Sequence, residues 1–351
     1  MSVSESYIFT EKCDNCQRLD ILNMINDALV LVDSQTEVIL FMNETALVMY
    51  QYTSEESLTL SLKDICHDSG AVNCTNMRMA EQSTKGYVFT SNHRKKDGSI
   101  FKVEVSTRYL IFHGEQVFAS VVRNLTPDLK MRESIELAGE VQRRSLPNDL
   151  DEDWFQIRSI YQPYNYVSGD LYDFFYEKDK DVLHGILIDV MGHGIGAALQ
   201  TGILKYLFNN AMKKSIPIND KLAWINKEVM PFFAGGDFAG ALLFEFDFKC
   251  KTLTYSAGGI NYIIVLKGQG PEVVKAPGLF LGINEDEVFD QVVCPFQSGE
   301  SFLFLTDGLF ELITQPLNSA LDFWGIHKMC KLLATGGDGH DDASGVGILI
   351  R

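Results

Sequence analysis

Residues 182–198 read VLHGILIDVMGHGIGAA, and the reading of this stretch decides the fold of the second half of the chain. Ile186, Leu187 and Ile188 form an apolar run that ends in the carboxylate of Asp189, and Gly192, Gly194 and Gly196 follow closely. From residue 186 to residue 204 the chain is mostly apolar and about long enough to cross a bilayer. Asp189, His193 and the glycines, Gly202 included, would be costly in lipid without a cavity. The stretch therefore reads as a buried strand that passes through a tight turn into a helix. Its glycines suit the backbone of that turn better than they suit a phosphate cradle.

Three more aspartates share this setting. Asp170 lies in Ser168-Gly169-Asp170, Asp307 in Thr306-Asp307-Gly308 after the apolar run 302–305, and Asp341 in Asp341-Asp342. Each one alone is explained by a turn or a solvated acid pair. Together they are carboxylates at the ends of buried strands, where a rigid sheet can aim several at one point. Converging carboxylates repel and must be neutralised, and oxygen-only donors favour Mg²⁺ or Mn²⁺ over Zn²⁺. No Cys and His spacing in this half makes a zinc site. Two such cations about 4 Å apart acidify a shared water and neutralise phosphate oxygens, so the donor chemistry points to phosphate-ester hydrolysis.

Around these residues the chain from Trp154 on is β-rich. Strands are expected at 157–161, 184–190, 240–246, 252–257, 262–266 and 301–306, with helices at 195–212 and 221–230. Short strands with helices in the longer insertions predict two packed sheets flanked by helices.

The first part is of another kind. Between residues 17 and 126 a helix is expected at 19–25, strands at 28–32 and 38–42, and a helix at 45–52. Asp97-Gly98 then separates a polar stretch from Phe101, Val103 and Val105, which alternate with polar residues, and this marks a hairpin with one wet face. A second turn at His113-Gly114-Glu115 leads to 117–122, giving three successive antiparallel strands in a small α+β domain. Pro127 opens a charged run, 128–144, with Leu129, Ile135, Ala138, Val141 and Leu146 near helical spacing before Pro147. Such a stripe serves a spacer helix or pairs with a partner helix.

Composition bounds the rest. At roughly 150 residues per domain, 351 residues of which 46% are hydrophobic make about two domains. A net charge of −17 repels nucleic acid and anionic membranes, so neither is an expected partner. Seven scattered cysteines, and residues 1–10 without a basic, apolar leader, predict a reduced, cytoplasmic setting.

The phrases His93 to Ser99 and Arg123 to Thr126 resemble the PAS sensor family over about 110 residues. From about Val141 to Arg351 the chain resembles the SpoIIE/RsbU-type branch of the metal-dependent protein phosphatases, with a protein phosphatase 2C-like fold. Val141-Gln142 with Leu146-Pro147, Val167 to Asp173, Asp189 to Gly194 with Ala197-Ala198, Thr306-Asp307-Gly308 and Asp341-Asp342 carry that likeness. A PAS domain ahead of such a phosphatase also resembles stress regulators of the RsbP type. The architecture implied is a segment 1–16, a PAS domain 17–126, a helical linker 127–147 and a phosphatase domain 148–351, the last a β-sandwich flanked by helices within an α+β class.

The resemblance implies a metal-dependent protein serine/threonine phosphatase acting on a phosphorylated anti-anti-sigma factor of STAS fold, regulated by its sensor, in a homodimer. It implies that Asp189 bridges two Mn²⁺ or Mg²⁺ ions, that the Val190 carbonyl completes the second, that Asp307 and Asp341 hold the first, and that Asp170 sits close by. Asp173 fits a turn role equally well. A bridging hydroxide is the implied nucleophile. His193 is a candidate for protonating the leaving oxygen, or it caps the following helix.

Departures from the family pattern flank the pocket: Ser168 for a glycine, Ala257-Gly258-Gly259 for Ala-Gly-His, Phe238-Ala239-Gly240 for Phe-x-Thr, and the tail Asp342-Ala343-Ser344-Gly345. They leave room for a partner-binding scaffold of the same fold. A nucleotide-handling enzyme is a second rival, although no Walker-type glycine loop occurs. In the sensor, Cys13, Cys16, Cys66 and Cys74 allow a metal or cluster site or thiol redox sensing, and His67 and His93 are conceivable haem ligands among unidentified PAS ligands. Cys250, Cys294 and Cys330 are expected in the core.

Overall fold

The computed structural model of the chain describes residues 22–351 apart from 113, 234, 261, 269, 315–316, 318–319 and 337–338. It falls into two compact units, one ending at Arg132 and one beginning at Glu133.

The first unit is built on one antiparallel sheet in the order β2-β1-β5-β4-β3. Its strands are β1 (Ala28–Asp33), β2 (Ile39–Met42), β3 (Tyr87–Arg94), β4 (Ile100–Phe112) and β5 (Glu115–Asn124). The helices α1 (Glu44–Tyr50), α2 (Ser54–Ser57), α3 (Leu62–Ile65) and α4 (Gly70–Gln82) all lie between β2 and β3. Asn43 fixes the start of α1. Its side chain accepts from the Ala46 and Leu29 amides and donates to the Asp27 carbonyl, so a buried amide is fully used. The Asp97-Gly98 turn closes the hairpin of β3 and β4 with Gly98 at φ +85°. Helix α4, with no clean apolar stripe, has no counterpart in the expected elements. The helix expected at 19–25 lies partly outside the described residues, as does His113.

Helix α5 (Thr126–Arg144) follows, and its C-terminal half belongs to the second unit. That unit contains two five-stranded antiparallel sheets, ordered β13-β10-β9-β8-β7 and β12-β11-β14-β15-β6. The first sheet comprises β7 (Asp170–Glu177), β8 (Val182–Val190), β9 (Ala239–Asp247), β10 (Thr252–Gly258) and β13 (Val292–Pro295). The second comprises β6 (Phe155–Gln162), β11 (Tyr262–Lys267), β12 (Gly270–Lys275), β14 (Ser301–Leu305) and β15 (Ala343–Ile350). Helices α6 (Ile195–Ala211) and α7 (Ile218–Val229) cover the first sheet, and the second is covered by α9 (Phe323–Thr335), the short α8 (Asp307–Phe310) preceding it.

This layering explains the uninterrupted apolar run in β8. Leu183 and Leu187 enter the core between the sheets, while Ile186, Ile188 and Val190 pack towards α6 and α7. A strand buried on both faces cannot alternate with polar residues. The inter-sheet core is aromatic, with Phe244 stacked on Phe304 at 4.5 Å between ring centroids. Gly185 lies under that stack, and a Cβ there would sit 2.0 Å from Phe244 Cζ.

Gly185→Ala should therefore overpack the core and cost about 1–3 kcal/mol, read as a lower denaturation midpoint. An unchanged midpoint would mean that Phe244 has room to move.

Candidate functional site

Both sheets contribute strand ends to one edge of the sandwich. Asp170 opens β7 and stands in register opposite Asp189, the penultimate residue of β8. Asp307 follows β14, and Asp341-Asp342 leads into β15, the neighbour of β14. Thr306 ties the two sheets together at this edge. Its hydroxyl donates to Asp170 Oδ2 at 2.9 Å and accepts from the Ser344 amide at 3.0 Å. Gly169 permits the close approach, because a Cβ there would lie 2.8 Å from the carbonyl oxygens of Val190 and Gly192. Gly192 and Gly194 adopt φ +85° and +89°, as the tight turn after β8 requires. Gly196 differs: it lies within α6 at ordinary φ with no close neighbour, so the turn does not require it.

Electrostatics dominate the edge. Burial, then repulsion from Asp307, Asp341 and Asp342, pushes the Asp189 carboxyl up to about 8. Burial raises Asp170 far above the usual carboxylate range, and Asp189 and Asp342 add to this. Among the described residues no Lys or Arg forms an ion pair with any of these five aspartates. Asp307 and Asp341 are exposed and Asp342 is met by two backbone amides, so the unmet demand for a cation or a proton falls on Asp170 and Asp189, and an all-oxygen donor set fits a hard divalent ion. No three of the described acidic, His or Cys side chains lie at the spacing of a finished ligand set. The edge thus holds repelling carboxylates in electrostatic range, and gathers them less closely than a complete coordination sphere would.

Asp342 has a distinct part that the acid pair in the sequence does not disclose. It is buried, and its two oxygens accept from the amides of Tyr164 and Gly169, each at 2.7 Å. It clamps the loop that delivers Asp170. Gln142 of α5 grips the same loop, accepting from the Ser168 amide at 2.9 Å and donating to the Ser168 carbonyl at 2.7 Å. Gly139, one turn earlier, is packed so closely that a Cβ would fall 1.9 Å from the Tyr166 carbonyl oxygen. Asp173, for which the sequence left a turn role and a place near the acidic site equally open, is on β7, where it pairs with Lys205 at 3.4 Å and Asn209 at 3.2 Å on α6. His193 is exposed, with its ring 6.3 Å from that of Tyr164, and no side-chain cap of α6 is formed.

In the first unit, His93 is buried with both ring nitrogens engaged. Nδ1 meets the Tyr50 hydroxyl at 2.6 Å, and Nε2 meets Cys66 Sγ at 3.5 Å. The adjoining cavity holds only about 20 Å³, the room of a single water. In this arrangement His93 is not free to ligate haem, and His67 is an exposed residue. Cys66 is engaged with His93, Cys13 and Cys16 lie outside the described residues, and Cys250 is exposed, so of the expected core cysteines only Cys330 is fully buried. Burial holds His93 down at about 4 against the opposing pull of Asp68.

A helix-covered double sandwich with acids gathered at one edge is the architecture of the protein phosphatase 2C-like class. Residues 179–346 match the family model for stage II sporulation protein E (SpoIIE), and residues 26–127 match that of the PAS domain. The chain accordingly joins a PAS domain to a SpoIIE-type phosphatase-fold domain. Among curated relatives it is 26% identical over 218 residues to the phosphoserine phosphatase RsbU of Bacillus subtilis, covering 61% of this chain and 63% of that one. It is 26% identical over 188 residues to the phosphoserine phosphatase RsbP of the same organism, covering 52% and 46%. The match thus spans less than two thirds of either relative. The SiaA-PP2C domain of Pseudomonas aeruginosa shares the fold at a TM-score of 0.51 and 17% identity, over 65% of this chain and all of that one. Among the described residues no helix is long and apolar enough to cross a membrane.

Asp342→Ala should orphan the Tyr164 and Gly169 amides, at about 1–3 kcal/mol for each donor that stays buried, and speed hydrogen exchange at both. Unchanged exchange there would discount the clamp. In the first unit, His93 remains neutral in the folded state where the unfolded chain takes up a proton. Its contribution is complete above pH 6.5 and is lost as pH falls towards 4, on the order of 3 kcal/mol in all. His93→Gln should flatten the denaturation profile across that window, and an unaltered slope would count against a buried neutral imidazole.

Proposed function

We propose that the chain is a metal-dependent protein serine/threonine phosphatase under the control of its PAS domain. The observation that carries this reading is the set of strand-end carboxylates, Asp170, Asp189, Asp307 and Asp341, drawn from both sheets to one edge without a basic partner. On this reading Asp189 would hold two Mn²⁺ or Mg²⁺ ions with the Val190 carbonyl, Asp307 and Asp341 would hold the first ion, and Asp170 would stand close by. Such ions, when bound, acidify water and neutralise phosphate oxygens. The chain's own residues do the positioning: Thr306 orients Asp170, and Asp342 with Gln142 holds the loop in front of it. His193, exposed beside Tyr164, would give a proton to the departing serine or threonine oxygen.

The relatives RsbU and RsbP are named as phosphoserine phosphatases, which supports a phosphoserine protein as substrate; the substrate proposed, on the family resemblance of the sequence, is a phosphorylated anti-anti-sigma-type regulatory protein, in a cytoplasmic signalling role. Helix α5 leaves Leu137 and Val141 each about 60% exposed four residues apart, which suits pairing in a homodimer. One observation favours a second reading, a partner-binding scaffold of the same fold. Gly259 has φ +87° and the Phe280 ring against it, leaving no place for the histidine common in the family.

Two measurements separate these readings. Chelation should abolish release of phosphate from a phosphoserine protein and Mn²⁺ should restore it; full turnover after exhaustive metal removal would defeat the proposal. Asp189→Asn should lower the rate at least about a hundredfold with the fold intact, read by mass spectrometry of phosphopeptides in treated lysate. A scaffold would show the same phosphopeptides with either protein.

A further inference from the structure

The end of the β7–β8 ladder remote from Asp170 and Asp189 opens into a pocket of about 860 Å³, between the ladder, the end of α6 and the start of α7. Seven residues of strand put it roughly 20 Å from the acidic edge. In a chain with 47 acidic and 30 basic residues, this pocket inverts the balance, because four lysines line it against two glutamates. The glutamates are already matched. Buried Lys221 meets Glu245 at 2.7 Å, Lys180 meets Glu177 at 2.9 Å, and His184 stands between the two acids. Lys213 and Lys214 have no carboxylate partner among the described residues, and Lys214 Nζ lies 4.3 Å from the Trp224 ring centroid. Helix α7 begins at the pocket wall after Pro217 with no side chain capping its first amides, a second source of positive potential. The facing wall offers Phe175, 37% exposed and stacked on His184 at 4.9 Å.

We propose that this pocket binds a small phosphorylated molecule with a planar aromatic part, the class of nucleoside phosphates. Lys213 and Lys214 receive the phosphate, and Phe175 receives the ring. The volume lies within the range of small-molecule sites. The proposal is independent of the phosphatase reading, since none of these residues belongs to the acidic edge.

Trp224 serves as the reporter. Full-length protein in excess chelator, which prevents a divalent ion from carrying phosphate to the aspartates, is titrated with AMP, ADP, GMP, GDP and inorganic phosphate, and binding is confirmed by equilibrium dialysis. At least one nucleotide should give a saturable change in fluorescence, about tenfold tighter than inorganic phosphate. The double variant Lys213→Ala/Lys214→Ala should weaken it by about tenfold or more, and Phe175→Ala should bring nucleotide affinity down towards that of phosphate. Asp189→Asn should bind as the parent does. No saturation by any ligand at millimolar concentration, equal affinity for phosphate and nucleotides, indifference to the lysine substitutions, or loss in Asp189→Asn would each overturn the proposal.

Discussion

The second unit is organised around a repulsion. Asp170, Asp189, Asp307, Asp341 and Asp342 crowd one edge of a sandwich, and burial of the first two makes their charge costly. Nothing in local propensity favours such a gathering; it is imposed by strands whose remaining residues have no alternative to the core. Ile186 and Ile188 on one face of β8 and Leu183 and Leu187 on the other fix where the strand ends, and hence where Asp189 must be. The hydrophobic effect thereby holds like charges in proximity, and the hydrogen bonds of Thr306 decide how the nearest of them is oriented.

The polar contacts at this edge share a design. Apart from Thr306, which bonds the Asp170 carboxylate itself, they act on the loop ahead of Asp170. Asp342 takes two of its amides, Gln142 both holds and is held by Ser168, and Gly139 admits the Tyr166 backbone against the helix surface. A loop gripped from a strand end and from a helix has little freedom of its own. Its position is set by the elements around it, which is how a precise site is placed on an irregular segment.

Much of this was legible in the amino-acid order. The run 186–188, the glycine turn and the alternation after Asp97-Gly98 each report a local constraint, and strands β8 and β4 with helix α6 stand where those patterns put them. What escaped has physical reasons. Strand β7 reads as aromatic and acidic, since Asp170 and Asp173 are strand residues whose polar partners, the Thr306 hydroxyl and Lys205, lie far away in sequence. Strand β15 is rich in glycine, because Leu305, Leu309 and Phe323 crowd its backbone at Gly345 and Gly347. Asp342 looks like half of a surface acid pair, and its burial depends on amides contributed by Tyr164 and Gly169. Long-range partners of this sort leave no local periodicity to detect.

The clamp also has a bearing on biosynthesis. Asp342 lies 173 positions after the glycine it holds, and β15, which it precedes, is an interior strand of its sheet between β14 and β6. A ribosome emitting this polypeptide releases Asp170 and Asp189 long before the residue that restrains the loop ahead of Asp170. The nascent first sheet can form with its two facing acids, while the second waits with a gap between strands already made. The position between β14 and β6 stays open until β15 has been made, so the edges of both neighbours are exposed until the last strand arrives.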